Sequence, residues 1–470
     1  MPDIELSVLL LLGLALLAAC VFEFINGFHD TANAVATVIY TKSLGPTQAV
    51  ILSGVFNFIG VITGGLGVGL SIINLLPIDL VIDLNVYHTI AMVMSILISA
   101  ILWNFGTWYF GLPSSSSHTL IGSILGVGIG FAFLPTNDTG LAALNWDKVI
   151  KVFSGLLMAP VIGFSLAMLL MYIIKNVVNK KRRDELFEEP KKDSKPPKWI
   201  KWTLISTCTL VSFAHGRNDG QKGIGLIMLI LIGVLPSYFA THSEKSLSNL
   251  QPEIAEISQL VEKANFDQQN PESFKLVQSL NEELIFLNTT VSSNSESHKP
   301  SIRRTILQIS NNTKQLLEIN KNSLSEQQKS RLKELAVNEE SGIRKAIDYA
   351  PFWVILMVSL SLGFGTMFGW KRIVVTIGEK IGKSHLTYAQ GASAELVAAA
   401  TIGLASGLGM PVSTTHTLSS GIAGTMVASK GLGNLQKSTI RNILIAWVLT
   451  LPVSMFISGS LFLIFRSFMN

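Results

Sequence analysis

Charged side chains are scarce in this sequence. Lys, Arg, Asp and Glu together make up only 14% of its 470 residues, hydrophobic residues make up 49%, and the mean hydropathy is +0.46. A soluble domain carries about 25% charged residues, so this composition excludes an ordinary soluble protein. We therefore predict that the chain lies in a lipid bilayer.

Cysteine is nearly absent as well. Cys20 and Cys208 are the two cysteines, and both fall inside apolar runs. Their number and placement exclude a disulfide framework and a thiolate metal site. We expect no cofactor and no fixed metal site formed by the protein.

The net charge of +5 is concentrated in one place. Ten Lys or Arg residues lie between Lys175 and Lys201, against five acidic residues. Short loops rich in Lys and Arg stay in the cytoplasm, so this segment is predicted to be cytoplasmic. Because it simply joins two apolar runs, we do not expect a nucleic-acid partner.

About ten apolar stretches approach the length that crosses a hydrocarbon core, about 20 residues. They cover residues 6–25, 47–73, 88–110, 119–134, 152–174, 202–214 with 223–240, 351–369, 388–408, 417–429 and 440–465. The first resembles a signal peptide in hydropathy, but it has no basic n-region and continues through Glu23 into a motif that recurs later. We assign it to the mature structure.

Two motifs recur along the chain. Residues 111–120 (GLPSSSSHTL) return as 409–418 (GMPVSTTHTL) at an offset of 298, and 26–30 (NGFHD) return as 215–219 (HGRND) at an offset of 189. The two offsets differ by 109, which is the length of the polar stretch 241–349. The chain is therefore predicted to be a duplication whose second half carries an insert.

Loop charge predicts that the two halves have opposite orientations. The loop 371–385 carries four basic residues and is predicted to be cytoplasmic, whereas its counterpart 73–87 carries Asp79 and Asp83 and no Lys or Arg. One span, 351–369, separates the insert from the cytoplasmic loop, which places the insert in the periplasm.

We predict an all-α polytopic membrane protein with two inverted-topology repeats of about five membrane segments each. Such repeats are typical of secondary transporters, with broken or re-entrant helices at a substrate site near the midplane. The predicted boundaries are 1–175 for the first repeat, 176–201 for the basic linker, 202–240 for the start of the second repeat, 241–349 for the helical insert and 350–470 for the remainder.

Hydroxyl side chains follow a proline in both copies of the longer motif. Pro113 and Pro411 each precede Ser and Thr residues and then an apolar run, a pattern that predicts a helix start. Free N–H groups and the positive end of the helix dipole there favour an anion. The alternative is that these side chains only cap and pack helices. The candidate substrate-binding residues are Ser114, Ser115, Ser116, Ser117, Thr119, Ser413, Thr414, Thr415 and Thr417.

Acidic residues at membrane depth are the second signal. Asp30 and Asp219 occupy equivalent positions in the shorter motif, and a carboxylate there usually pairs, coordinates a cation or relays a proton. Neighbouring glycines are expected to let the helix break and present carbonyl oxygens. A local salt bridge of Asp219 with Arg217 or Lys222 is the alternative. For His118 and His416, a structural role and a proton or substrate role both stay open.

These motifs resemble those of the inorganic phosphate transporter (PiT) family, in particular its proton-coupled bacterial members. Residues 27–34 (GFHDTANA) are similar to the family signature Gly-x-Asn-Asp-x-Ala-Asn-Ala, and 216–223 (GRNDGQKG) provide the second copy. The resemblance implies a symporter of the bacterial inner membrane. It also implies that the helix starts bind phosphate while Asp30, Asn33, Asn218 and Asp219 handle the coupling ion.

Two departures from the signature favour protons over sodium. His29 stands where the signature has Asn, and Lys222 replaces the second Asn of the second copy. An ammonium group would repel a bound Na⁺, whereas His and Lys beside aspartates suit a proton relay. The secondary candidates are Glu23, Asn26, His118, His215, Glu395 and His416.

The expected partners are phosphate, protons and the lipid bilayer, with Mg²⁺ or another divalent metal carried as a neutral complex with phosphate, and a homodimer as an option. A sodium-coupled phosphate symporter and a sulfate permease of the same fold are the nearest alternatives. A membrane hydrolase using a serine of 114–117 with His118 is disfavoured because a duplicated site has no use in a single-site enzyme. We therefore predict a transporter and not an enzyme.

Overall fold

The computed structural model describes residues 5–77, 80, 85–135, 137, 140–187, 189–190, 196–242, 247–264, 266, 270–293, 298–320, 323–338 and 341–468. The side chain of Asn33 and the loop residues Asp79 and Asp83 lie outside the described part. The described residues form two compact units, one drawn from 1–81, 85–230 and 352–470 and the other from 231–351.

The structure is helical throughout both units. In the first half the helices are α1 (Leu6–Tyr40), α2 (Pro46–Ile62), α3 (Gly67–Ile73), α4 (Val86–Tyr109), α5 (Ser116–Ala132), α6 (Trp146–Val177) and α7 (Lys180–Phe187). They continue with α8 (Lys198–Val234), α9 (Pro236–Phe239), α10 (Gln251–Lys263), α11 (Pro271–Ser293), α12 (Lys299–Ile319) and α13 (Glu326–Leu332). The last are α14 (Phe352–Thr366), α15 (Lys371–Val375), α16 (Tyr388–Gly407), α17 (Thr414–Lys430) and α18 (Lys437–Phe468).

Among the described residues, four helices are long and apolar enough to cross a bilayer, namely α1, α4, α6 and α18. The number rises to six if two bent pairs each count as one crossing, α2 with α3 at 74° and α14 with Lys371–Lys380 at 54°. By length and composition alone, the described helices therefore give fewer membrane crossings than the predicted five or so per half. Several apolar runs form helices that are short or bent, and α8 carries polar residues at its centre.

Two antiparallel hairpins bring the hydroxyl motifs into the interior. Gly111 and Gly409 have φ of 67° and 63°, a left-handed conformation that favours glycine, and each lies between two helices. Ser123 on α5 donates to Ser99 on α4 at 3.1 Å. Gln390 near the start of α16 donates to Ser429 near the end of α17 at 3.1 Å. The two helices of this second hairpin therefore also run in opposite directions.

The prediction that the helices break beside Asp30 and Asp219 is wrong. Helices α1 and α8 run without interruption through Gly27 and through Gly216, Gly220 and Gly223. These glycines permit close packing instead: a Cβ added to Gly27 would lie 2.5 Å from the carbonyl oxygen of Leu362 on α14. Small residues at such contacts let helix backbones approach closely.

Replacing Gly27 by alanine tests this packing. The added methyl group would force α1 away from α14, and overpacking of this kind costs about 1–3 kcal/mol. Gly13→Ala on the same helix is the matched control, since a Cβ there meets no atom within 4 Å. We expect Gly27→Ala to lower the melting temperature of the purified protein and Gly13→Ala to leave it unchanged or raised. Equal melting temperatures for the two variants would contradict the packing role.

The insert forms a helical unit with its own apolar core. Ile302, Ile306, Ile309 and Leu316 recur at helical spacing on α12 and are all buried. The Arg303 guanidinium is buried beside this core and donates to a backbone carbonyl, and burial lowers its pKa. The amphipathic spacing of the apolar residues, rather than their number, accounts for the folding of this polar segment.

Candidate functional site

The helix starts of α5 and α17 are built alike. Ser115 precedes α5 and accepts a hydrogen bond from the backbone N–H of His118 at 3.2 Å. Ser413 precedes α17 and accepts from the N–H of His416 at 3.0 Å. Both serines are therefore N-cap residues, which satisfy a backbone donor that the helix itself leaves unpaired.

The two helix starts meet inside the protein. The imidazole rings of His118 and His416 lie 4.4 Å apart between centroids. His416 also stacks on the indole ring of Trp447 at 3.9 Å, and that indole donates to the carbonyl oxygen of Pro113 at 3.0 Å. Residues 298 positions apart in the duplicated motif are thus neighbours in the fold, and the histidine rings fill the space between them.

The Asp30 carboxylate bridges both helix starts. One oxygen, Oδ2, accepts from the hydroxyl of Ser116 on α5 at 2.6 Å, and the other, Oδ1, accepts from the hydroxyl of Thr415 on α17 at 2.5 Å. Only 3% of Asp30 is exposed. A buried carboxylate therefore sits where hydroxyl donors from the two halves of the chain converge.

Asp219 and Lys222 form an ion pair next to this bridge. The Lys222 ammonium lies 2.5 Å from Oδ1 of Asp219, and the other oxygen of Asp219 accepts from Ser116 at 3.3 Å. Lys222 also donates to the hydroxyl of Ser117. The sequence left Arg217 and Lys222 as possible partners of Asp219, and the structure pairs Asp219 with Lys222. The pair is completely buried, so each charge depends on the other for stabilisation.

His29 extends the cluster from α1 to α4. Its Nδ1 lies 3.1 Å from Oδ1 of Asp30, and its Nε2 lies 3.2 Å from the hydroxyl of Thr107. Both nitrogens have a partner, which orients the ring between the carboxylate and the hydroxyl group.

His215 brings a third potential ligand toward the two carboxylates. Its Nε2 lies 3.4 Å from Oδ2 of Asp219 and 3.9 Å from Oδ2 of Asp30. Its Nδ1 is held by Asn57 at 2.8 Å. Ligand atoms of Asp30, His215 and Asp219 lie within 4.8 Å of one another, close enough for one cation to contact all three.

The secondary acidic candidates lie in separate surroundings. Glu23 is buried and is held by one long hydrogen bond, 3.4 Å from the Asn26 amide nitrogen. Glu395 is buried on α16 and accepts from the hydroxyls of Thr37 and Thr207, the latter at 2.5 Å. The hydrogen bonds described for Glu395 therefore go to threonines and not to the aspartate cluster.

The two asparagines predicted to handle the coupling ion are Asn33 and Asn218. Asn218 points its amide nitrogen at Ser406 and at the carbonyl oxygen of Met410, at 3.0 and 3.3 Å. It thus ties α8 to the end of the second hairpin rather than to either aspartate. The side chain of Asn33 falls outside the described residues.

The nine hydroxyl candidates divide by their hydrogen bonds. Thr119 and Thr417 bond back to the carbonyl oxygens of Ser115 and Ser413. Ser114 bonds to Thr450. Ser115 and Ser413 are the helix N-caps. That leaves Ser116, Ser117, Thr414 and Thr415, of which Ser116 and Thr415 contact Asp30. The arrangement places hydroxyl groups from both helix starts against carboxylates and a buried ammonium.

Residues 26–458 match the model of the phosphate transporter family. The chain belongs to that family.

The alignments with relatives cover almost the whole chain of this transporter. It is 42% identical to the low-affinity inorganic phosphate transporter PitB of Escherichia coli (strain K12), over 98% of this chain and 97% of that protein. It is 43% identical to the low-affinity inorganic phosphate transporter of Buchnera aphidicola subsp. Acyrthosiphon pisum (strain APS), over 97% of each. A solved structure titled the sodium-dependent phosphate transporter shares the fold, with a TM-score of 0.55 at 18% identity and coverage of 97% and 99% of the two chains.

Family membership confirms that the chain is a phosphate transporter and not an enzyme. A Ser–His contact of the kind a hydrolase uses does occur in the transporter, since Ser115 Oγ lies 2.8 Å from Nδ1 of His118. That serine is occupied as the N-cap of α5, so the contact fits a structural role.

Sequence patterns missed several residues that contact the candidate side chains. Asn57, which holds His215, is a polar residue inside an apolar run and could have been noticed for that reason. Thr107 and Trp447 contact His29 and His416, but neither residue type stands out in a helix of this composition.

Proposed function

We propose that this transporter imports inorganic phosphate across the bacterial inner membrane by proton-coupled symport. The observation that carries the proposal is the Asp30 carboxylate held between the hydroxyls of Ser116 and Thr415. A carboxylate is itself an oxyanion, so donors that hold it are also suited to phosphate oxygens. Both donors lie in the first turn of a helix, where the dipole also favours negative charge.

Competition for these hydroxyls gives a simple coupling mechanism. Ionised Asp30 occupies Ser116 and Thr415 and repels an approaching anion in a site of low dielectric constant. A proton delivered to the carboxylate cluster removes one negative charge and weakens the hold of Asp30 on both donors. Phosphate then binds where the carboxylate was held, so proton and phosphate enter together.

The buried ammonium of Lys222 supports protons rather than sodium as the coupling ion. It lies 2.5 Å from Asp219 within the group of carboxylates that a sodium ion would need. A second cation there would be repelled at short range. Lys, His and Asp side chains in contact also form a chain through which a proton can pass.

The predicted inverted repeats fit the arrangement of the long helices. Helices α6 and α18 are both 32 residues long and contain Pro160 and Pro452 near their middles, and α5 and α17 are both 17 residues long. Helix α5 packs on α18, where Gly122 approaches Leu451, and α17 packs on α6, where Ser420 approaches Gly163. We propose that the repeats exchange partners in this way and enclose the site at their interface, with 176–201 cytoplasmic and the insert periplasmic.

The decisive experiment measures labelled phosphate uptake into proteoliposomes with an imposed pH gradient. Sodium, magnesium and excess sulfate are added in separate arms, and protein-free liposomes give the background. We expect uptake to follow the proton gradient without sodium, to rise with magnesium because a neutral metal-phosphate complex is carried, and to resist sulfate.

Each arm has an outcome that would overturn one part of the proposal. A sodium requirement would reject proton coupling, and no effect of magnesium would reject the metal-phosphate complex. Inhibition by sulfate would show that the hydroxyl group does not distinguish the two anions. A flat response to all gradients would reject symport itself.

A further inference from the structure

A groove lined by cations and aromatic rings contains none of the residues of the proposed transport site. It measures about 720 Å³ and is lined by residues 108–111 at the end of α4 and by residues of the segment 369–380. Lys371, Arg372 and Lys380 are exposed and line the groove, and its lining contains no acidic side chain. The nearby Glu379 accepts a hydrogen bond from Tyr40 at 2.8 Å.

Arg372 is held in place before any ligand binds. Its guanidinium lies 5.0 Å from the ring centroid of Trp108 and 4.9 Å from that of Tyr109, and one of its nitrogens donates to the carbonyl oxygen of Tyr109 at 2.6 Å. Trp108 in turn donates to the carbonyl oxygen of Gly369 at 2.7 Å, which ties the two walls together. A fixed guanidinium loses little freedom when it binds a phosphate group.

Exposed aromatic rings border the cations. Tyr109 and Phe110 line the groove and are 55% and 75% exposed, and Trp108 and Trp370 complete its aromatic lining. Trp and Tyr are enriched at the level of lipid headgroups, where Lys and Arg also act as anchors. The basic loop is predicted to be cytoplasmic, and the cytoplasmic leaflet is the one that carries anionic lipid.

We propose that this groove binds the phosphate headgroup of an anionic phospholipid, with the acyl chains against the exposed rings. The site touches the transport machinery through the backbone. Thr376 donates to the carbonyl oxygen of Gly111 at 2.8 Å, and Gly111 is the turn that leads into the start of α5. A lipid bound there would brace the first hairpin on the cytoplasmic side.

The test compares two double variants of the full-length protein purified in a neutral detergent. Lys371→Gln/Lys380→Gln removes two groove cations but keeps Arg372 and its contacts with Trp108 and Tyr109. Lys437→Gln/Arg441→Gln removes two exposed cations outside the groove lining. Apparent affinities come from the thermal stabilisation produced by added phosphatidylglycerol, with phosphatidylcholine as the neutral lipid and inorganic phosphate as a third additive.

The groove variant is expected to bind phosphatidylglycerol about 25-fold more weakly, at about fivefold for each charge removed. The control variant should stay within about twofold of wild type because neither side chain lines the groove and exposed charges are screened by salt. An equal loss in both variants would reduce the effect to general surface charge and reject the site. If the groove variant instead loses stabilisation by inorganic phosphate while keeping that by phosphatidylglycerol, the groove is a free-phosphate site and the lipid proposal is wrong.

Discussion

Asp30→Asn is expected to reduce phosphate uptake by about two orders of magnitude, equivalent to roughly 3 kcal/mol. Asparagine has nearly the same shape but offers one acceptor oxygen in place of two. It therefore cannot accept from Ser116 and Thr415 with separate oxygens, as Asp30 does at 2.6 and 2.5 Å. Its amide also carries no exchangeable charge, so a proton arriving at the cluster no longer changes the competition for these hydroxyls.

The measurement is initial uptake of labelled phosphate in cells without other phosphate transporters, divided by the amount of protein in the membrane. Asp147→Asn is the matched control, because Asp147 is an exposed acid in the first turn of α6. The control makes the same Asp-to-Asn change at a position more than 100 residues from Asp30 in the sequence. We expect this variant to leave uptake unaltered. Normal uptake by Asp30→Asn at equal abundance would refute the role of the bridging carboxylate.

Lys222→Gln is expected to have a second large effect, on stability and transport together. Removing the ammonium leaves the Asp219 carboxylate buried without its partner at 2.5 Å. Breaking a buried ion pair from one side costs about 3–5 kcal/mol. We expect a large fall in melting temperature and loss of proton-driven uptake.

Two further variants separate the ion pair from other effects of the substitution. Asp219→Asn/Lys222→Gln removes both charges, so no unpaired charge stays buried. The effects of the two substitutions are therefore not additive. We expect the double variant to recover much of the stability without recovering uptake. Lys329→Gln is the control, because Lys329 pairs at the same spacing of three residues and at 2.6 Å with Glu326, whose side chain is 91% exposed. Its loss should cost no more than about 0.5–1 kcal/mol. If Lys222→Gln melts like the control, the buried pair does not stabilise the fold.

Part of the site could be predicted because duplication exposes it. A motif that returns at a fixed offset identifies Asp30 with Asp219, and Ser115 with Ser413, without knowledge of any contact. The same patterns could not rank the nine hydroxyl groups. Ser115 and Ser116 are adjacent in one run of serines, yet one caps its helix and the other binds the carboxylate, and only backbone geometry separates them.

The glycines show where local patterns mislead. Glycine beside an acidic residue at membrane depth is compatible with a broken helix or with close packing against a neighbour. Gly27 serves close packing, because the backbone of α14 passes within reach of its missing Cβ. That neighbour is more than 300 positions away along the chain, so no window around Gly27 contains the information.

The number of apolar runs, about ten, exceeds the number of described helices that are long and apolar enough to cross a bilayer, and the difference has a physical reason. Hydropathy registers that a run is apolar, but bilayer lipid and the interior of a helix bundle are equally apolar surroundings. Helix α5 is buried along nearly its whole length and is only 17 residues long. Its apolar residues therefore face other helices rather than a full thickness of lipid.

The sequence by itself determined the membrane environment, the family, the repeated motifs and the charged residues within those motifs, because each of these is visible in composition or in a local pattern. The tertiary structure alone decided which of those residues meet. Asp30 and Thr415 are separated by 385 positions and lie 2.5 Å apart. Contacts of this kind depend on how helices pack, and packing is set by the fit of many side chains across distant segments rather than by any one pattern along the chain.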